Sequence, residues 1–115
     1  MFVDASALLH GAERRHTPPV AIYEAALGLR RIGRTAAEAA TAVVENFLRR
    51  SGTEVISISP DIGRVAIEAF ARFGRGNHPA RLNMGDCFAY VCARSLGVPL
   101  LAKGEDFPQT DIELA

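Results

Sequence analysis

The chain has little with which to build a disulfide scaffold, a membrane span or a polybasic surface. It holds two cysteines, Cys87 and Cys92, in 115 residues. They lie five apart on one predicted helix, where side-chain geometry does not suit a disulfide. Two cysteines alone do not make a zinc site. They read as small, reduced core residues, as befits a cytosolic protein. No apolar run approaches the ~18 residues that a membrane span needs. No charged-then-apolar leader opens the chain, so the expected setting is the cytoplasm, with no membrane partner. Formal net charge is +0, which excludes a global field that gathers nucleic acid. Lysine is nearly missing: Lys103 stands alone against twelve arginines. Arginine is the better fork for phosphates and carboxylates. A GC-rich coding sequence explains the skew equally well, and the arginine pairs read first as solvated helix faces. Repeats, low-complexity stretches and linkers are also missing.

What is present is the composition of one globular domain, residues 1–115. Apolar residues make up 49% and charged residues 23%. A chain of this length buries roughly two-thirds of its unfolded surface, enough for one core. Residues 1–4 read as a short buried strand, and residues 5–9 as the start of a helix. Residues 11–16 read as a polar connection. Thr17-Pro18-Pro19 predicts a helix start, with Thr17 as the cap and proline in the first turn. That helix runs to Arg31 and ends at Gly33. Thr35-Ala36-Ala37-Glu38 has the pattern of a capping box and opens a second, Ala-rich helix that ends before Gly52. Residues 55–58 predict a β-branched strand, and Ser59-Pro60 opens a third helix. Asn83 predicts the cap of a fourth helix, with Asp86 at its third position and Gly97 closing it. Residues 99–102 predict a buried strand, and residues 111–114 a short edge strand. Strands alternating with helices predict an α/β sandwich with a mainly parallel sheet.

Against this frame the acidic residues stand out. Asp4 ends the first apolar strand. Asp86 sits at a helix N-terminus, where the dipole favours an anion. Glu105 and Asp106 follow the last buried strand. Glu24 lies inside the apolar segment around Tyr23 and Ala25. In open parallel sheets, sites lie at the carboxyl ends of strands, which brings Asp4, Asp86 and Glu105-Asp106 to one rim. A carboxylate among apolar neighbours is costly unless something pairs with it. Several such groups, far apart in sequence, point to one shared counterion, and hard oxygen ligands favour Mg²⁺ or Mn²⁺. Such an ion can turn water into a nucleophile and clamp phosphate oxygens. Asp4 and Asp86 are the leading direct metal ligands. Glu24 and Asp106 would ligate through water, hold a second ion or orient the nucleophile. Ser6 would hydrogen-bond a ligand carboxylate or a phosphate. Each also has a plainer reading: Asp86 as a helix cap, Glu24 at a helix edge, Glu105-Asp106 as turn chemistry. His10, His16 and His78 have no ligand spacing.

Phe2-Val3-Asp4-Ala5-Ser6-Ala7-Leu8, Tyr23-Glu24-Ala25, Leu82-Asn83-Met84-Gly85-Asp86-Cys87-Phe88-Ala89-Tyr90 and Leu100-Leu101-Ala102-Lys103-Gly104-Glu105-Asp106-Phe107, with Thr110-Asp111-Ile112, together resemble a PIN-domain ribonuclease toxin of the VapC kind. The resemblance spans nearly the whole chain. It implies a three-layer α/β/α PIN-like sandwich. It implies a Mg²⁺- or Mn²⁺-dependent endoribonuclease of a type II toxin–antitoxin pair. Its partners would be an RNA substrate, a second copy of itself and a VapB-type antitoxin, with promoter DNA bound only through the antitoxin. Carried onto this chain, the acidic cluster is Asp4, Glu24, Asp86 and Asp106. Some family members carry an acid two residues before the Asp-Phe pair; here that place is Gly104, which leaves Glu105 and Asp106 both open as the fourth acid.

The resemblance also implies about a helical hairpin more chain between Asp4 and Glu24 than is present here. An abrupt change of character near Leu9-His10 leads to the expectation that a segment belongs there. Three rival readings fit the residues less well. A phospho-accepting receiver-like switch needs a second acid beside Asp4 and an aspartate after a middle strand, and Ala5 and residues 55–59 do not supply them. A haloacid-type phosphatase needs an aspartate where Ser6 stands. A catalytically inactive, regulatory PIN-like module does not explain why all four acids are kept.

Overall fold

Tandem prolines decide where the first helix starts. Proline carries no N–H and has a helix-compatible φ, so Pro19 opens α1 (Pro19–Gly33) without losing a hydrogen bond. The residue at the cap is Pro18, not Thr17. A residue before proline is pushed into extended backbone. Thr17 accordingly ends a strand, and its carbonyl accepts the Ile56 N–H at 3.0 Å.

The computed structural model describes residues 8–11, 14–101 and 107–114, with side chains at 15–100 and 107–114. Its elements run β1 (Leu8–Gly11), β2 (Arg14–Thr17), α1, α2 (Ala37–Ser51), β3 (Glu54–Val55), α3 (Pro60–Phe73), α4 (Met84–Leu96) and β4 (Leu100–Leu101), followed by a 3-10 turn at Phe107–Gln109. The four helices and β4 fall where the sequence pattern predicts them, within a residue or two; the strand expected over residues 55–58 is shorter, Glu54–Val55. The first strand predicted at residues 1–4 lies outside the described residues.

The segment after it differs from expectation. Leu8 and Leu9 are strand rather than helix, and residues 14–16 are strand rather than connection. Leu9 pairs with His16 and Gly11 with Arg14 in an antiparallel ladder. On its other side β1 pairs antiparallel with β4, Leu8 against Leu101. A helix of a turn and a half does not repay its nucleation cost; a strand with a partner on each side satisfies its backbone groups. The sheet order is β3-β2-β1-β4, with β2 and β3 parallel, so the described ladders form a mixed sheet. Beyond them, Leu114 bridges Leu100 in parallel, where an edge strand was predicted.

Helix ends follow local chemistry. Ser59 caps α3 by accepting the Ile62 N–H at 3.2 Å. Gly52 closes α2 at φ 67, a left-handed conformation that side chains disfavour. The box predicted at Thr35–Glu38 does not form: Ala36 is the cap residue, and the Thr35 hydroxyl donates to the Ala36 carbonyl at 3.1 Å.

Helix α4 is the hub. It buries Gly85, Cys87, Ala89, Tyr90, Val91, Cys92 and Ala93, nearly all round its circumference. Against it pack Ala66, Ala69 and Phe73 of α3, Ala21 of α1, Leu82, Leu100 and Phe107. A smaller cluster joins Ala25 of α1 to Val44 and Leu48 of α2. Helix α1 therefore belongs to both clusters, and this carries Glu24 to the N-terminal end of α4.

Candidate active site

Two of the predicted acids are described, and the fold brings them together. Glu24 is half-buried on α1, one position before Ala25 and three after Ala21, the two alanines that seat the helix. Its carboxylate lies against Gly85 in the first turn of α4. A β-carbon at Gly85 would coincide with the carboxylate group of Glu24, Oε1, Cδ and Oε2 alike. Asp86, the next residue, supplies the second carboxylate. Asp4, Ser6, Glu105 and Asp106 lie outside the described residues.

Asp86 is held by a reciprocal capping box. The Asn83 N–H donates to Asp86 Oδ2 at 3.0 Å, and the Asp86 N–H donates to Asn83 Oδ1 at 2.8 Å. Asp86 is thus the helix cap partner that the plainer reading describes, and its carboxylate is oriented by the same bonds. The two readings are compatible because a carboxylate accepts at both oxygens. The N-terminal dipole of α4 favours negative charge here.

The neighbouring thiols are unsuited to chemistry. Burial, with Asp86 adding repulsion, pushes Cys87 up to about 11. Burial alone pushes Cys92 up to about 11. Both are buried and free, as the sequence predicts. A thiol so raised is neither a nucleophile nor a ready soft ligand. The donors gathered at α4 are hard carboxylate oxygens, which fit Mg²⁺ or Mn²⁺. Among the described residues, no group of three or more His, Cys, Asp or Glu could hold a metal ion. His78 has a structural use, its Nδ1 accepting the Ala80 N–H at 3.0 Å.

Two features escaped sequence reasoning. Gly85 is a helical glycine whose missing side chain makes room for Glu24; a glycine in a helix costs stability relative to alanine, and that cost is the signal. Asp111, given no role of its own by the sequence, accepts the Tyr90 hydroxyl at 2.5 Å and Arg94 at 2.8 Å, with Arg72 at 3.4 Å. A buried tyrosine needs a partner for its hydroxyl, and that need was readable.

A family model described as PIN domain matches residues 1–113. Over 74 residues the chain is 45% identical to a VapC ribonuclease of Mycobacterium bovis and to ribonuclease VapC42 of Mycobacterium tuberculosis, covering 64% of this chain and 56% of each relative. It is 42% identical over 71 residues to a VapC ribonuclease of Rhizobium meliloti, covering 61% of this chain and 50% of that protein. The chain spans about half the length of the curated relatives it matches. No described helix is long and apolar enough to cross a membrane. By the match over residues 1–113, the chain belongs to the PIN-domain family, and the relatives described here carry the VapC ribonuclease name.

Proposed function

We propose that this protein is a divalent-metal-dependent endoribonuclease, the toxin of a type II toxin–antitoxin pair. The observation that carries the reading is the juxtaposition of the Glu24 carboxylate with Asp86 at the N-terminus of α4, in a chain of this family. Asp86 and Asp4 would hold Mg²⁺ or Mn²⁺ directly, with Glu24 and Asp106 completing the acidic set and Glu105 the rival for the fourth place. A metal ion so held supplies Lewis acidity and a water of lowered pKa for attack on an RNA phosphodiester. The chain's own part is orientation. Asn83 fixes the Asp86 carboxylate, α1 delivers Glu24, and Ser6 would hydrogen-bond an acid or a phosphate oxygen.

The test is cleavage of single-stranded RNA by the purified chain with Mg²⁺ or Mn²⁺. Asp86→Asn replaces an anionic ligand by a neutral near-isostere. It should cost more than the ~100-fold seen when a residue behind a ligand is lost, while the far-UV spectrum stays that of the parent. Full activity in excess chelator, or in the Asp86→Asn protein, would sink the reading.

The partners follow as part of the same proposal: a VapB-type antitoxin, a second copy of this chain, and promoter DNA through the antitoxin, all in the cytoplasm. An antitoxin arginine paired with the acidic rim would silence the enzyme by a bidentate, charge-assisted contact. For the dimer, the outer face of α1 and α2 offers exposed Leu27, Val43 and Phe47. Val44, the next residue after Val43, is not part of that face: it is fully buried against Ala25 and Leu48 and belongs to the core. Its i, i+4 spacing with Ala40 and Leu48 turns it inward, whereas Val43 is rotated by one residue toward the outside.

A further inference from the structure

We infer that Gly85 is a positioning residue: its missing side chain is the slot that seats the Glu24 carboxylate beside Asp86. The inference rests on the acidic site proposed above and deepens it.

The three nearest contacts of a β-carbon at Gly85 are the three terminal atoms of Glu24. Those atoms sit at the end of a flexible side chain, so they can yield without moving either helix. Gly74 is the contrast within the same molecule. There a β-carbon would strike the ring of Phe70 and also its backbone carbonyl, which is fixed in the helix and cannot swing away. Gly74 is therefore a glycine of the fold, and Gly85 a glycine of the site.

The consequence is directional. Alanine at 85 leaves the capping box of Asn83 and Asp86 in place, because that box uses backbone N–H groups and the side chains of residues 83 and 86. The Glu24 carboxylate is what must leave. Its departure separates the two carboxylates that the fold had brought together, and the metal site loses one of its acids while the helix loses nothing. Alanine is in fact the better helix former. Retracting the carboxylate by one methylene, as Glu24→Asp does, makes room for the added methyl. The two substitutions should therefore compensate, which a merely structural glycine would not allow.

The experiment is a Mn²⁺ titration followed by electron paramagnetic resonance, with thermal melting and RNA cleavage on the same samples. The parent should bind Mn²⁺. Gly85→Ala should bind it ~10–100-fold more weakly, the range for a partner that orients a ligand, and should melt no lower than the parent. Glu24→Gln should weaken Mn²⁺ binding similarly, and Gly85→Ala combined with Glu24→Asp should recover part of the loss. Parent-like Mn²⁺ affinity in Gly85→Ala or in Glu24→Gln would overturn the inference. So would a double variant no better than Gly85→Ala, or a Gly85→Ala protein that melts as low as Gly74→Ala. A parent that neither binds Mn²⁺ nor cleaves RNA would instead overturn the proposed function itself, and the inference with it.

Discussion

Replacing Tyr90 by phenylalanine removes one oxygen from the middle of the hub helix. Tyr90 is buried, and its hydroxyl donates to Asp111 Oδ1 at 2.5 Å. Through this bond α4 holds the segment after the 3-10 turn, whose Glu113 carbonyl accepts the Leu100 N–H at 2.8 Å. A hydrogen bond to a charged partner contributes roughly 1.5–3 kcal/mol. The Asp111 side chain is 44% exposed, so water replaces part of it; about 1.5 kcal/mol is the discounted figure. For a chain of this size, at ~4 °C per kcal/mol, melting should fall by about 6 °C. The loss should also depend on pH. The Tyr90 hydroxyl, foremost, and then Arg94 and Arg72 hold the Asp111 carboxyl below its usual range, against the opposing pull of burial. A carboxyl whose folded pKa is depressed contributes stability that is present above its unfolded pKa of about 3.9 and is lost as pH falls through the lower folded value. Burial, with Asp111 beside it, raises Tyr90, so the hydroxyl stays a neutral donor throughout this window. The gap between parent and Tyr90→Phe should therefore be widest near neutrality and should narrow below about pH 3.9. Thermal melts followed by circular dichroism across that range check it. An unchanged melting temperature at neutral pH, or a gap of constant size down to acid pH, would refute the reasoning.

Other outcomes follow from the same contacts. Leu82→Ala empties a fully buried position in the main core and should cost ~2–5 kcal/mol in urea unfolding. Asn83→Ala removes the cap of α4 and should cost ~1 kcal/mol; because it also frees the Asp86 carboxylate, RNA cleavage should fall further than the stability loss alone explains. Cys87 and Cys92, both raised to about 11, should resist a thiol reagent at mildly alkaline pH and react at full rate once the chain is unfolded in denaturant. Val43→Glu, at a position 58% exposed, should leave the monomer's melting unchanged while shifting sedimentation toward monomer; an undisturbed dimer would move the interface off this face.

Local chemistry was legible in the residues wherever one short segment settles its own structure. Ser59-Pro60, Gly52, Gly97 and the Asn83–Asp86 box were read correctly, because a cap is satisfied within four residues of itself. The gathering of Asp4, Asp86 and Glu105-Asp106 at one rim was an inference from element order, and of these only Asp86 lies among the described residues; that Glu24 reaches the residue beside it is a matter of packing. Thr17 and Thr35 misled for a common reason: each could cap a helix, and each found another use. Thr17 is extended by the proline after it and serves the sheet; Thr35 bonds the Ala36 carbonyl. The strands at Leu8–Gly11 and Arg14–Thr17 were not legible: they pair with each other, but their outer partners, β4 and β3, lie far along the chain, and the polar Arg14–His16 stretch carries no strand pattern of its own.

The sequence by itself determined the four helices, the ends of α3 and α4 and the chemistry of the donors, because helical hydrogen bonds and capping close over a few residues and a carboxylate is a hard ligand wherever it stands. Only the tertiary structure decided which face of α1 meets α4, that Val44 turns inward while Val43 does not, and that Gly85 leaves the space in which Glu24 rests. These depend on packing between segments distant in the chain, where the space left by one residue is defined by the shape of another.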